Sequence, residues 1–95
     1  MLEKAKALME LRKLQSQLAK EVVEVEAGDG AVKVQISGEQ KVKRITIDPD
    51  RVDPNDIEKL ERWVESAVSQ AITKSQQIAA EKMKSVSGSL GIPGL

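Results

Sequence analysis

The longest helical pattern in the chain begins after Pro54 and meets no helix-breaking residue before Gly88. Its apolar residues keep to one helix face for about six turns. They are Ile57, Leu60, Val64, Ala67, Val68, Ala71, Ile72, Ile78 and Ala79, and the face continues to Met83. A helix of about 30 residues is about 45 Å long, whereas a compact domain of this size is only about 25–32 Å across. The distal half of the helix therefore extends beyond its own domain.

A second helix is predicted over residues 2–20, which contain no Gly, Pro or β-branched residue. Its main apolar face consists of Ala7, Leu8, Leu11, Leu14 and Leu18. Leu2, Ala5 and Met9 form a second stripe on nearly the opposite face. One stripe packs on the chain's own core, so the other needs a further partner.

Apolar residues on the overhang and on this second stripe predict contact with another chain. A symmetric pair covers both overhangs at once, so we expect an intertwined homodimer. The predicted interface residues are Leu2, Met9, Ala71, Ile78, Ala79 and Met83.

Three short strands are predicted between the two helices. The first alternates Val with Glu over residues 22–26, and Gly28-Asp29-Gly30 follows as a turn. The second strand alternates from Val32 to Ser37, and Gly38-Glu39-Gln40 forms a hairpin loop. The third runs from about Lys41 to Asp48, with Ile45 and Ile47 facing inward. Val42 is out of phase with them, which predicts a bulge near Lys43. The fold class is α+β, in the order α-β-β-β-α.

Three aspartates, Asp48, Asp50 and Asp53, lie between the last strand and the long helix. They suggest a Mg²⁺ site, but a turn and a helix cap explain them more simply. In that interpretation Asp53 is the N-cap, Pro54 the first helical residue, and Asp56 part of the first turn. We predict one domain over residues 1–86 and a flexible Gly/Pro-rich tail over residues 87–95.

The residue types that the chain lacks exclude most catalytic chemistry. It has no Cys and no His, and Trp63 is its only aromatic residue. Thiolate and imidazole sites are absent, and stacking platforms for single-stranded nucleic acid are nearly excluded. We therefore expect no enzyme activity, no cofactor and no small-molecule substrate. Without an export signal or an apolar run long enough to span a bilayer, we expect a cytoplasmic protein with no membrane partner.

The formal net charge is zero, from 15 basic and 15 acidic residues, but the charge is zoned. Residues 2–20 carry five basic and two acidic side chains, whereas residues 48–61 carry six acidic and two basic ones. Zones of this size usually mark solvated surface, and they are also compatible with a polyanion site.

Several motifs together resemble the YbaB/EbfC family of bacterial nucleoid-associated proteins over essentially the whole chain. They are the hairpin entry from Gly28 to Val34, the strand exit from Ile45 to Pro49, and the ending Glu81-Lys82-Met83 followed by Gly91-Ile92-Pro93-Gly94.

This resemblance implies a homodimer that binds double-stranded DNA in the nucleoid with little sequence preference. It also implies that the first and last helices project as arms and carry the DNA contacts. On these helices the predicted contact residues are Lys4, Lys6, Arg12, Lys13, Lys20, Lys74, Lys82 and Lys84. The alternative is a protein-binding adaptor without significant DNA affinity, which the neutral net charge and the double apolar stripe would suit.

Overall fold

The computed structural model describes the backbone of residues 2–90 and the side chains of residues 3–85. The elements are α1 (Leu2–Lys20), β1 (Val22–Ala27), β2 (Val32–Ser37), β3 (Val42–Ile47), a short 3₁₀ helix (Pro49–Arg51) and α2 (Ile57–Leu90). The three strands form one antiparallel sheet in the order β1-β2-β3. The predicted α-β-β-β-α order is therefore confirmed.

Two tight turns connect the strands where the sequence predicts them. In the β1–β2 turn, Gly28, Asp29 and Gly30 have φ angles of 64°, 54° and 88°. Glycine adopts this left-handed region without the penalty that a Cβ brings. In the β2–β3 loop, the Gln40 N–H donates to the Ser37 carbonyl at 3.0 Å.

The predicted bulge lies at Lys43. Gln35 pairs with Arg44 while the next residue, Ile36, pairs with Val42, so Lys43 is left without an opposite residue. Because paired residues of an antiparallel sheet share a face, this extra residue returns Val42 to the face that carries Ile45. The bulge thus resolves the phase mismatch in the sequence.

The core lies between α2 and the inner face of β1 and β2. Its buried members are Val23, Val25, Val32, Val34, Ile36, Ala67 and Ala71. Half-buried residues of α2, among them Leu60, Trp63 and Ile78, pack around it. The apolar face predicted for α2 therefore packs against the apolar face predicted for β2, as expected.

The third strand contributes no buried residue to the core. Ile45 and Ile47 pair with the buried Val34 and Val32, so they do lie on the inner face of the sheet. They nevertheless remain 44% and 43% exposed, and Val42 is 50% exposed. The reason is that α2 packs on β1 and β2 and makes no comparable contact with β3. The predicted inward orientation of the two isoleucines is therefore confirmed, although the chain itself leaves both side chains partly exposed.

The start of α2 also differs from the prediction. The helix begins at Ile57, and the Asp56 carboxylate accepts the Lys59 N–H at 3.2 Å, which makes Asp56 the N-cap. The Asp53 carboxylate instead accepts the Asn55 N–H at 2.9 Å, within the preceding turn. Asp48 caps the 3₁₀ helix by accepting the Asp50 N–H at 3.0 Å. The carboxylates of Asp48, Asp53 and Asp56 therefore cap successive turns of this segment.

At its other end α2 extends to Leu90, so residues 87–90, which we predicted as tail, are helical. Residues 91–95 of the predicted tail lie outside the described residues. The molecule is elongated, with principal extents of 62 × 22 × 15 Å, as the overhang of the long helix requires.

Candidate nucleic-acid interface

Both helical arms leave the sheet at the same end. The last residue of α1, Lys20, precedes β1, whose first residue Val22 pairs with Ser37 at the end of β2. Along α2, the Ser75 hydroxyl donates to the carbonyl of that same Ser37 at 2.7 Å. The part of α2 that follows Ser75 therefore continues past the sheet on the side from which α1 also departs.

The predicted contact residues of α1 are all exposed. They are Lys4, Lys6, Arg12, Lys13 and Lys20. Among the side chains of residues 3–85, none of the three ion pairs involves any of them. Lys6, Lys13 and Lys20 recur every seven residues, which places them along one line of the helix. Their charges are thus available to an external anion.

The predicted contact residues of α2 differ from one another. Lys74 and Lys84 are exposed. Lys82 is half-buried, and its ammonium lies 3.6 Å from the carboxylate of Glu21, directly after α1. Lys82 therefore shares its charge with a carboxylate and ties the base of one arm to the other.

The opposite end of the sheet is acidic. There the Asp48 N–H donates to the Ala31 carbonyl at 2.9 Å, and the Arg51 guanidinium donates to the Asp29 carbonyl at 2.9 Å. This places the acidic segment of residues 48–61 beside the β1–β2 turn. The neutral chain is therefore a charge dipole along its long axis, with a basic arm end and an acidic turn end.

This polarity gives a chain of zero net charge a locally basic surface on its arms. Surface charges separated by more than about 8–10 Å are largely screened at physiological salt. A polyanion that meets the arms therefore experiences mainly the local basic excess, while the acidic end is directed away from it.

The residues that we predicted for a dimer interface lie in different environments. Ala71 is fully buried in the core of its own chain, so it has no surface to offer a partner. Ile78 and Ala79 are half-buried, and Ile78 packs against the core. Met9 and Met83 are 60% and 45% exposed. The side chain of Leu2 lies outside the described residues.

One exposed apolar surface of the sheet was not among the predicted interface residues. It is the β3 face, which we define as Val42, Ile45 and Ile47. In the sequence Ile45 and Ile47 keep the period-two spacing of a core strand, so nothing in that spacing signals their exposure.

The described residues contain neither a metal-binding cluster nor a membrane-spanning helix. No group of three or more acidic, Cys or His side chains there is arranged to hold a metal ion. No helix in that part of the chain combines the length and the hydropathy needed to cross a bilayer.

Comparison with known proteins places this chain in a class of DNA-binding proteins. The model of the YbaB/EbfC DNA-binding family matches residues 1–90. A nucleoid-associated protein of Syntrophobacter fumaroxidans is 40% identical over 95 residues, covering 99% of this chain and 86% of that protein. A nucleoid-associated protein of Desulforamulus reducens is 44% identical over 79 residues, covering 83% of this chain and 75% of that protein.

This chain belongs to the YbaB/EbfC DNA-binding family. The resemblance of its sequence motifs to that family is thereby confirmed. The fold is also similar to that of the uncharacterized protein HP0035 from Helicobacter pylori, with a TM-score of 0.69 at 19% identity over 84% of this chain and 90% of that one.

Proposed function

We propose that the chain binds double-stranded DNA as a homodimer, through the basic faces of α1 and the distal part of α2, and acts in the nucleoid of the bacterial cytoplasm. The observation that carries the proposal is the set of exposed, unpaired basic side chains on α1, on the end of the molecule away from the acidic segment. Membership of a DNA-binding family supports the same assignment. No catalytic role or cofactor is needed for it.

Sequence preference should be low because of the residue types involved. Seven of the eight proposed contact residues are lysines, and a lysine ammonium acts on phosphate as a point charge. Reading of base edges relies mainly on planar, bidentate side chains such as Arg, Asn and Gln in the major groove. A lysine-dominated face is therefore suited to the phosphate backbone, whose contacts carry no sequence information.

The homodimer is supported by apolar surface that one chain leaves uncovered. The β3 face lies on the inner side of the sheet at an edge strand, and Met9 and Met83 are exposed on the arms. A domain of 95 residues buries only about 60–65% of its unfolded surface, less than a larger domain does, so covering this face would stabilise it appreciably. We propose a second copy as the occupant, since a two-fold pair covers the same face on both chains and leaves none free.

Pairing also strengthens DNA binding. In a dimer the basic excess of α1 is present twice, so two arms can bind the same duplex. Binding of the first arm then raises the effective concentration of the second. A single neutral chain lacks this advantage.

A salt titration of DNA affinity tests the proposal. If one dimer neutralises about 4–6 phosphates, log K should fall against log salt concentration with a slope of about −4 to −5. Duplexes of unrelated sequence should give similar slopes and affinities. A flat salt response, or no binding at low salt, would overturn the proposal.

The second candidate is an adaptor that binds protein. The observation in its favour is the exposed apolar pair Leu8 and Met9 on α1, which are 57% and 60% exposed. If the parent protein forms a dimer but binds no DNA at any salt concentration, the adaptor is favoured.

A further inference from the structure

The β2–β3 loop caps the C-terminus of α1. The Gly38 N–H donates to the Leu18 carbonyl at 2.9 Å and to the Glu21 carbonyl at 3.1 Å. Carbonyls in the last turn of a helix have no partner within the helix itself. The Leu18 carbonyl also accepts the Glu21 N–H at 3.2 Å, so Gly38 adds the hydrogen bond that fixes the end of α1 to the β2–β3 loop.

Gly38 also packs closely against Leu18 of α1. A Cβ at this position would lie 2.8 Å from the Leu18 carbonyl oxygen and 2.9 Å from the Leu18 Cδ2. Gly38 is not among the residues with positive φ, so its backbone suits any residue. Glycine is required here by the close approach of α1. Because the nearest atom is a backbone oxygen, trimming the Leu18 side chain does not make room.

Ser37, the residue before Gly38, is hydrogen-bonded to the other arm, α2. Ser37 is almost fully buried, and its carbonyl accepts the hydroxyl of the buried Ser75 of α2. The Ser37 hydroxyl accepts the N–H groups of Glu39 and Lys41 at 3.2 and 3.3 Å, which fixes the loop. Two consecutive residues thus connect α1 and α2 to a single point on the sheet.

We infer that Ser37 and Gly38 form a joint that sets the direction of α1 relative to α2, and that Gly38 is a positioning residue for DNA binding. The second half of this inference rests on the proposed function. From Leu18 back to Glu3, α1 is about 22 Å long, so a rotation of about 10° at the joint displaces its N-terminal end by about 4 Å. A displacement of that size moves Lys4 and Lys6 away from the phosphates that a correctly directed arm would reach.

The orientation of α1 is measured directly by a distance between two spin labels. The chain has no cysteine, so Glu3→Cys and Gln76→Cys provide the label positions on the exposed surfaces of α1 and α2. Labelled chains are mixed with an excess of unlabelled chains, so that each measured pair lies within one chain. Gly38→Ala should shift the mean distance by at least about 3 Å. An unchanged distance would overturn the joint.

DNA affinity is measured on the same variant without labels. Gly38→Ala should weaken binding about tenfold and lower the steepness of the salt dependence by about one unit, because fewer phosphates are contacted at once. Unchanged affinity together with a shifted distance would overturn the positioning role. If the parent protein fails to bind DNA, the proposed function and the positioning role both fail, and the label distance still decides whether the joint exists.

A milder variant covers the case in which Gly38→Ala does not fold. Ser75→Ala removes only the hydroxyl that binds Ser37, and alanine is well tolerated in a helix. It should broaden the label distance distribution and weaken DNA binding about twofold to threefold. Ser69→Ala, an exposed serine on the same helix, is the matched control and should change neither. Identical behaviour of the two serine variants would overturn the joint.

Discussion

The Lys82 ammonium lies 3.6 Å from the Glu21 carboxylate, which joins the distal part of α2 to the residue that directly follows α1. The two side chains are about 40% exposed, so the pair contributes little to stability. Its main consequence is electrostatic, because an acidic group at the base of the arms neutralises part of their basic excess.

Removing that carboxylate should therefore tighten DNA binding. Glu21→Gln leaves Lys82 without its partner and removes one negative charge from each chain, and we expect about a twofold to fivefold gain in affinity at low salt. Fluorescence anisotropy with a labelled duplex measures the gain, which should vanish as the salt concentration rises. Glu65→Gln removes the same charge from the exposed face of α2 over the sheet and serves as the control. An equal gain in both variants would show that only net charge matters.

Reversing the basic line on α1 should abolish DNA binding. Lys6, Lys13 and Lys20 are exposed, and replacing all three with Glu changes the charge by twelve units per dimer (three sites, two units each, two chains). Helix content and dimerisation should persist, since none of the three side chains is buried. Gel-shift titration measures DNA binding, circular dichroism measures helix content, and sedimentation measures dimerisation. The control is the double reversal of Lys59 and Arg62 at the acidic end, which we expect to cost less than threefold in affinity.

A charged residue on the β3 face should dissociate the proposed dimer into single chains. Ile45→Glu would leave an unpaired carboxylate in the interface, a cost that one covered apolar face cannot offset. Sedimentation should show the mass of a single 10.4 kDa chain in place of the dimer. Thr46→Glu adds the same charge to the opposite face of the same strand, and this variant should remain dimeric.

Ile78→Glu is a less specific test of the dimer, because Ile78 packs against the core of its own chain. A dimer that survives Ile45→Glu would place the interface on the arms, with Met9 and Met83 the next candidates.

Alanine at Gly28 should destabilise the protein much more than alanine at Gly30. A Cβ at Gly28 would overlap the Trp63 ring, and the φ of 64° adds strain. We expect a loss of about 3 kcal/mol in the free energy of unfolding. At Gly30 the φ is 88°, but the nearest atom is a Glu26 carboxylate oxygen at 3.7 Å, so a loss of about 1–2 kcal/mol is expected from backbone strain alone. Urea denaturation followed by circular dichroism, at one protein concentration, compares the two variants. Equal losses would show that the Trp63 contact is unimportant.

Local chemistry made much of the fold predictable from the sequence. The turn at Gly28-Asp29-Gly30 is predictable because glycine readily adopts the positive φ that the turn requires. The bulge at Lys43 is predictable because the period-two pattern of apolar residues is broken once at this point. The start of α2 was misplaced because Asp53 followed by Pro54 and Asp56 followed by Ile57 are both acceptable helix starts. Only the hydrogen bond from the Lys59 N–H to the Asp56 carboxylate distinguishes them.

The sequence by itself determined the element order, the exposed basic line on α1 and the excess length of α2, because these depend on periodicity, propensity and rise per residue. The tertiary structure decided which apolar residues are covered. Val34 and Ile45 lie opposite each other on the same sheet face, yet one is buried and the other 44% exposed. A single helix is about 10 Å wide, about the width of two neighbouring strands, so α2 covers β1 and β2 and leaves β3 open.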